Sequence, residues 1–279
     1  MPTKTKNNLA YIADNYKAAV KWPTSPYQTY LRQLNEYVEE LGGIVDRLWQ
    51  NNLKQIVDPM VQDAQQDQLD KELDKLEERM IAVFGLSSMR RKAEQMAQQV
   101  RRRAVINFTD EMQKILGDQF TPTINYSNLE PFIKQTIRQN VRLIKSIPNQ
   151  YYGDVERVIY KGIRQGKSVS KIKASLDDVL SKASGRTKTI TMDQVGSLQG
   201  SLTKKIHSDL GLDKFRWWTM GGERVRASHV PRHGNIYSWN DLPGGEYPGS
   251  AINCRCFASP ARPEVKRKFA QQGVGAIAR

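Results

Sequence analysis

Leu31, Leu34, Tyr37, Val38, Leu41, Val45 and Leu48 fall three or four residues apart, the spacing that lines up side chains on one face of an α-helix. A strand cannot use that pattern, because it turns successive side chains to opposite faces. The stripe returns after Pro59 with Leu69, Leu73, Leu76, Met80 and Val83, and after Gly85 with Met89, Ala93, Met96, Val100 and Ala104. The chain from about Leu31 to Gly117 is thus predicted as long amphipathic helices, with Pro59 as a break. Between Asp58 and Glu78 stand eight acids against only Lys71 and Lys75, while the following helix turns Arg90, Arg91, Lys92, Arg101, Arg102 and Arg103 outward. Such a pair predicts antiparallel neighbours that neutralise each other, not a nucleic-acid groove.

Pro122 and the segment from Asn125 to Pro131 mark the clearest boundary, with Asn128 as the expected N-cap of a helix carrying Ile133, Ile137, Val141 and Ile144. Three shorter helical stretches follow, at Ser146 to Gly166, Ser168 to Ala183 and Thr191 to Gly211, punctuated by Gly153, Gly166, Gly185 and Gly211. The texture then changes. Phe215, Trp217 and Thr219 alternate with Arg216, Trp218 and Met220 before Gly221-Gly222, which predicts a strand running into a turn. Asn235 to Trp239 reads as a second short strand, the stretch from Asp241 to Ser250 as a loop, and Ile252 to Pro260 as a final strand or turn. Trp217, Trp218 and Trp239 are the expected core of this module. The fold class expected is mainly α with a small C-terminal α+β module. The expected regions are 1–120 as helical association region, 128–211 as a second helical unit, 212–260 as a compact few-stranded module and 261–279 as a basic mobile tail.

Composition narrows the function. No apolar run approaches the ~18 residues of a spanning helix, and no secretory signal is read in the first residues. Two cysteines cannot build a disulfide framework, so cytosol is the expected compartment of synthesis. Net charge is +14 and unevenly placed: residues 1–130 carry 17 basic against 18 acidic side chains, residues 131–279 carry 26 against 11. A positive field confined to one half favours a polyanion, and non-specific binding of double-stranded DNA is expected, with Lys171, Lys173, Lys204 and Lys205 as candidate contacts. The near-neutral helices of residues 1–120 suit packing on each other, on a second copy or on a partner.

Both cysteines lie in Ser250-Ala-Ile-Asn-Cys-Arg-Cys-Phe257, after a His229-x3-His233 pair. Two imidazoles and two thiolates could fill a tetrahedral zinc shell, so His229, His233, Cys254 and Cys256 form a candidate structural metal site. Against it, Cys-x-Cys is not the usual spacing, and Pro231 separates the histidines. A tight structural turn or a strained Cys254–Cys256 disulfide are the other readings. There is no P-loop, dinucleotide fingerprint, nucleophile elbow or paired-carboxylate set, and the expectation is that the protein is not an enzyme.

The run WTMGGERVRASHVPRHGNIYSW followed by INCRC resembles the signature that closes the phage Mu F-like minor head proteins, the phage head morphogenesis family. The matching positions are Trp218, Glu223-Arg224-Val225-Arg226, Ser228-His229, Gly234 and Asn253-Cys254-Arg255-Cys256, and the helical stretch from Ser146 to Leu176 resembles the unit before that signature. Gly222 stands where the family has aspartate, and Arg226 and Ala251 stand where some relatives carry further Cys and His. The resemblance covers roughly residues 130–258. It implies a minor capsid protein in the virion, in the capsid interior or at the portal, present in host cytoplasm during assembly. Its implied partners are portal protein or major capsid protein and packaged DNA, with no membrane. The alternatives are a DNA-binding protein without a virion role, or a zinc-dependent nuclease.

Overall fold

A computed structural model describes residues 21–57, 63–83 and 85–270. Pro59, the N-terminal residues 1–20 and the end of the expected tail, 271–279, lie outside them. The chain is mainly α-helical, with a small antiparallel sheet near the C-terminus, as the two periodicities predict. The first stripe folds as helix α1 (Thr24–Leu48), which continues through a π-helical turn (Trp49–Leu53) into the short α2 (Lys54–Val57). The second and third stripes are α3 (Asp63–Val83) and α4 (Leu86–Leu116).

The next two helices are longer than the sequence reading expects. α5 (Glu130–Arg164) runs through Pro148 without a break. A proline inside a helix leaves a carbonyl one turn back without its donor and costs about 3 kcal/mol. Here the preceding turn is reinforced: Ser146 Oγ donates to the Leu143 carbonyl at 2.6 Å and accepts from Arg186 at 2.8 Å. α6 (Val169–Asp209) joins what Gly185 suggested were two helices. That glycine sits on an exposed face inside one continuous helix. Asn128 is not the cap of α5. A 3-10 turn (Tyr126–Leu129) leads into the helix, and Asn125 caps that turn by accepting from the Ser127 amide at 3.1 Å. Asn128 instead donates to Asp209 at 3.0 Å.

Among the described residues no ion pair joins α3 to α4. Lys92 pairs with Glu36 of α1 at 3.8 Å and Arg101 with Glu130 at 2.7 Å. Asn52 of the π-helical turn donates to Glu72 of α3 at 2.7 Å, and Tyr160 of α5 hydrogen-bonds to Asp70 of α3. No helix among the described residues is long and apolar enough to cross a membrane.

The chain divides into two compact units. One comprises Tyr27–Gln95 and Ile137–Thr191, and its core is the set of predicted stripes: Leu34, Val38, Leu41, Leu69, Leu76 and Met80 with Ile144, Val155, Ile159 and Ile172. The buried Tyr30 hydroxyl donates to Asn140 at 2.8 Å within it. The other unit comprises Met1–Pro26, Met96–Thr136 and Met192–Arg279. It holds the sheet: β1 (Lys214–Trp218) lies between β2 (Ile236–Ser238) and β3 (Phe257–Pro260), antiparallel to both. Phe215 pairs with Tyr237 on one side and Pro260 on the other. The alternation along β1 buries Phe215 and Trp217 fully and turns Trp218 to the opposite face, where its Nε1 donates to Ser259 at 2.8 Å. The module's core is therefore Phe215, Trp217, Trp239, Cys254, Cys256 and Ala258; of the three expected tryptophans Trp217 and Trp239 belong to it and Trp218 does not. Phe215 stacks on Trp239 with ring centres 4.0 Å apart. Residues read as the start of a tail form helix α7 (Arg262–Ala270), whose Glu264 accepts the amides of Asp213 and Lys214 at 3.0 and 2.8 Å. That carboxylate fixes the entry into β1.

Candidate metal centre

The loop that carries the cysteines is laid directly on α6. Gly196 and Gly200 are one helical turn apart on that helix, and neither leaves room for a side chain. A Cβ on Gly196 would stand 2.7 Å from the Cys254 carbonyl oxygen, and one on Gly200 would stand 2.3 Å from that of Pro248. The loop then turns sharply: Cys254 N–H donates to the Ala251 carbonyl at 3.0 Å, with Asn253 in the left-handed region at φ 58°. An asparagine tolerates that conformation better than most residues. From this turn both thiols enter the interior, and both are free rather than joined in a disulfide.

His229 reaches them from the other side of the sequence gap, at the start of the 3-10 turn Val230–Arg232. Its Nδ1 lies 3.6 Å from Cys254 Sγ and 3.5 Å from Cys256 Sγ. The three side chains are buried, and their donor atoms all lie within 4.8 Å of one another. The other ring nitrogen, Nε2, stands 3.1 Å from a carboxylate oxygen of Glu246. A carboxylate only accepts, so Nε2 carries a proton, and Nδ1 is the nitrogen that faces the sulfurs. Glu246 is itself held by Arg232 at 2.9 Å, and that guanidinium, first, and His229, second, keep its carboxyl below the usual range. Arg232 lies over the Trp217 ring at 4.9 Å, and Trp217 meets the His229 ring edge-on at 5.1 Å.

The two thiols hold unequal claims on their protons. Hydrogen bonding from the Cys256 thiol, helped by the Cys256 amide at 3.4 Å, lowers Cys254 to about 5. Cys256 is pushed upward by the same bond and by burial. Cys254 is thus the thiol that gives up its proton more readily, and the thiolate is the form that binds metals.

A depression of about 180 Å³ opens beside the cluster. Its lining includes His229, Cys254 and Cys256 together with Arg224, Arg226 and Arg255. Arg226 donates to the Ile252 carbonyl at 2.6 Å.

His233 lies outside this cluster. Its Nδ1 accepts the Thr219 amide at 3.1 Å and stands 2.9 Å from the Thr219 hydroxyl, its ring meets Trp218 edge-on, and burial lowers its pKa. Pro231 starts a turn that carries the two imidazoles apart, which is why the His-x3-His spacing does not bring them together. The sequence reading missed Glu246 and Arg232; Glu246 sits in a Gly-Pro loop whose path cannot be read locally. Of the lysines, Lys173 pairs with Asp46 and Asp177, Lys205 with Asp209, Lys204 lies over the Tyr247 ring at 5.5 Å, and Lys171 is exposed.

Residues 153–259 match the model of the family described as Phage Mu protein F like protein, in agreement with the resemblance carried by the signature residues. An uncharacterized protein of Haemophilus influenzae is 30% identical over 137 residues, a stretch covering 49% of this chain and 31% of the relative. The chain therefore spans about a third of the length of that curated relative. No solved structure matches the chain.

Proposed function

We propose that the protein is a minor head protein of a tailed bacteriophage, acting in head morphogenesis. The observation that carries this reading is the family match over residues 153–259, which takes in all of α6, the sheet as far as Ser259 and the His229–Cys254–Cys256 cluster. In this reading the helical stripes dock on portal or inner capsid, and the basic half, residues 131–279, meets packaged DNA without sequence preference. The chain resides in the virion and in host cytoplasm before that. Lys173 and Lys205 are paired with exposed or partly exposed carboxylates, and such surface pairs are weak enough to be exchanged for phosphate.

The module works by shape rather than turnover. No carboxylate lines the depression beside the cluster among the described residues, and Glu246 is committed to His229 and Arg232. His229 lines the depression, but its ring is held between Glu246 and the two thiols rather than left free as a base. The experiment is co-sedimentation of the chain with procapsids and with purified portal. Enrichment in either supports the reading, while a chain that stays in the supernatant of both sinks it. Duplex DNA should bind weakly, and its affinity should fall steeply between low and physiological salt.

A further inference from the structure

Around a tetrahedral zinc ion, a thiolate at about 2.3 Å and an imidazole nitrogen at about 2.0 Å stand ~3.5 Å apart. His229 Nδ1 stands 3.6 and 3.5 Å from the two sulfurs, so the nitrogen already has the separation from each sulfur that such an ion imposes. Glu246 on Nε2 is the orienting carboxylate that metal-bound histidines commonly have. The described residues bring three donors together and no fourth, since His233 is engaged with Thr219. The remaining direction is not filled by a side chain of the ligand type: the depression beside the cluster offers arginines.

We propose that His229, Cys254 and Cys256 bind one zinc ion and leave its fourth position to an exogenous phosphate-class anion, held in the depression by Arg224, Arg226 and Arg255. Charge selects the anion. Zinc with two thiolates and a neutral imidazole carries no net charge, so it leaves the guanidiniums uncompensated. None of the three arginines forms an ion pair among the described residues. Their planar forks suit phosphate oxygens. The anion comes either from free phosphate or from a nucleic-acid backbone, and the chemistry recognised is the same. This inference stands apart from the head-protein reading, because the cluster and its depression are properties of this chain whatever it assembles with.

The full chain, stripped with chelator, is titrated with zinc and separately with cobalt(II), whose thiolate charge-transfer and visible bands report the donor set. One metal per chain is expected, with bands of a four-coordinate sulfur-containing site. Millimolar inorganic phosphate, and in a second arm a short duplex DNA, is then added to the cobalt form. A change of the visible bands is expected. A change with phosphate alone assigns the position to the free ion, and a change with duplex as well assigns it to a backbone. Arg224→Gln and Arg255→Gln should keep one metal per chain and weaken the phosphate response about tenfold each. His229→Ala should lose the metal. A chain that takes up no metal overturns the proposal, and so does a cobalt form whose bands are indifferent to both anions. Equal phosphate response in the arginine variants overturns the assignment of the anion to the depression.

Discussion

In the helical unit, burial is spread along stripes: Leu34, Val38 and Leu41 on α1, Leu69, Leu73 and Leu76 on α3, and Ile144, Val155 and Ile159 on α5 are each one contact among many equivalent ones. In the sheet module the core is six residues drawn from two strands, β1 and β3, and two loops, and each has a different job. Phe215 stacks on Trp239, Trp217 walls the His229 ring, Ala258 faces Trp217 across β1 and β3, and the cysteines close the floor. A stripe tolerates the loss of a member because neighbours of the same kind remain. A core of unlike parts does not. A small sheet with short strands cannot bury much area through repetition, so it concentrates burial in aromatic rings.

The largest effect that would break this comparison is expected at Trp217. Trp217→Ala removes a fully buried ring and the surface that both His229 and Arg232 rest on, and should cost about 3–5 kcal/mol, with loss of the module's near-UV signal. Leu73→Ala in α3 removes a nearly fully buried side chain too, at about 2–5 kcal/mol, but should leave the near-UV spectrum of the tryptophans in the sheet intact. If both variants disturb that spectrum equally, the two cores are not built as differently as described.

The next effect is on pH dependence. His207 is buried completely, and burial lowers its pKa to about 3. Its Nδ1 accepts the Trp239 indole N–H at 3.0 Å, and its ring lies 5.4 Å from both Phe108 and Trp239. In the unfolded chain the same group titrates near 6.5. The native state thus binds fewer protons, so its contribution is fully present above about pH 6.5 and is lost as pH falls toward about 3. His207→Asn keeps an acceptor near the indole without the titration. Denaturant midpoints measured from pH 7 to pH 4 should fall less steeply in that variant; identical slopes would show that His207 is not the group responsible.

Much of this was legible beforehand, and the reason differs by region. The helical stripes were visible because a period of three and four needs only local sequence, and the strand around Trp217 because alternation is local too. Helix ends were less so: Gly185 and Pro148 look like breaks, yet flanking helical sequence and tertiary packing carry α6 and α5 through them. The site was half legible. The Cys-x-Cys and His229 could be picked out as ligand types, but whether His229 or His233 joins them depends on how the turn at Pro231 is aimed, which no spacing encodes. Glu246 and the arginine-lined depression arise only when distant loops meet.

The smallest effect makes the sharpest contrast, because it lies within a single helix. Gly185, Gly196 and Gly200 are all interior to α6, and by propensity alone alanine should stabilise each by about 0.5–1 kcal/mol. At Gly185 nothing lies within 4 Å of an added Cβ, so that gain should appear in full. At Gly200 the new Cβ would stand 2.3 Å from the Pro248 carbonyl oxygen and 3.1 Å from the Tyr247 ring, and at Gly196 it would meet the Cys254 carbonyl at 2.7 Å. The two carbonyl oxygens are backbone atoms of the cysteine loop, which cannot rotate away as a side-chain end can. The loop must therefore lift off the helix, and the propensity gain is outweighed. Gly185→Ala should raise the denaturation midpoint slightly. Gly196→Ala and Gly200→Ala should lower it and loosen the cysteine loop, read as faster reaction of Cys254 and Cys256 with a thiol reagent. Cysteines that remain as slow to react in Gly200→Ala as in the parent chain would mean that the helix does not support the loop through this close approach, and that the module carries its own cysteine turn unaided.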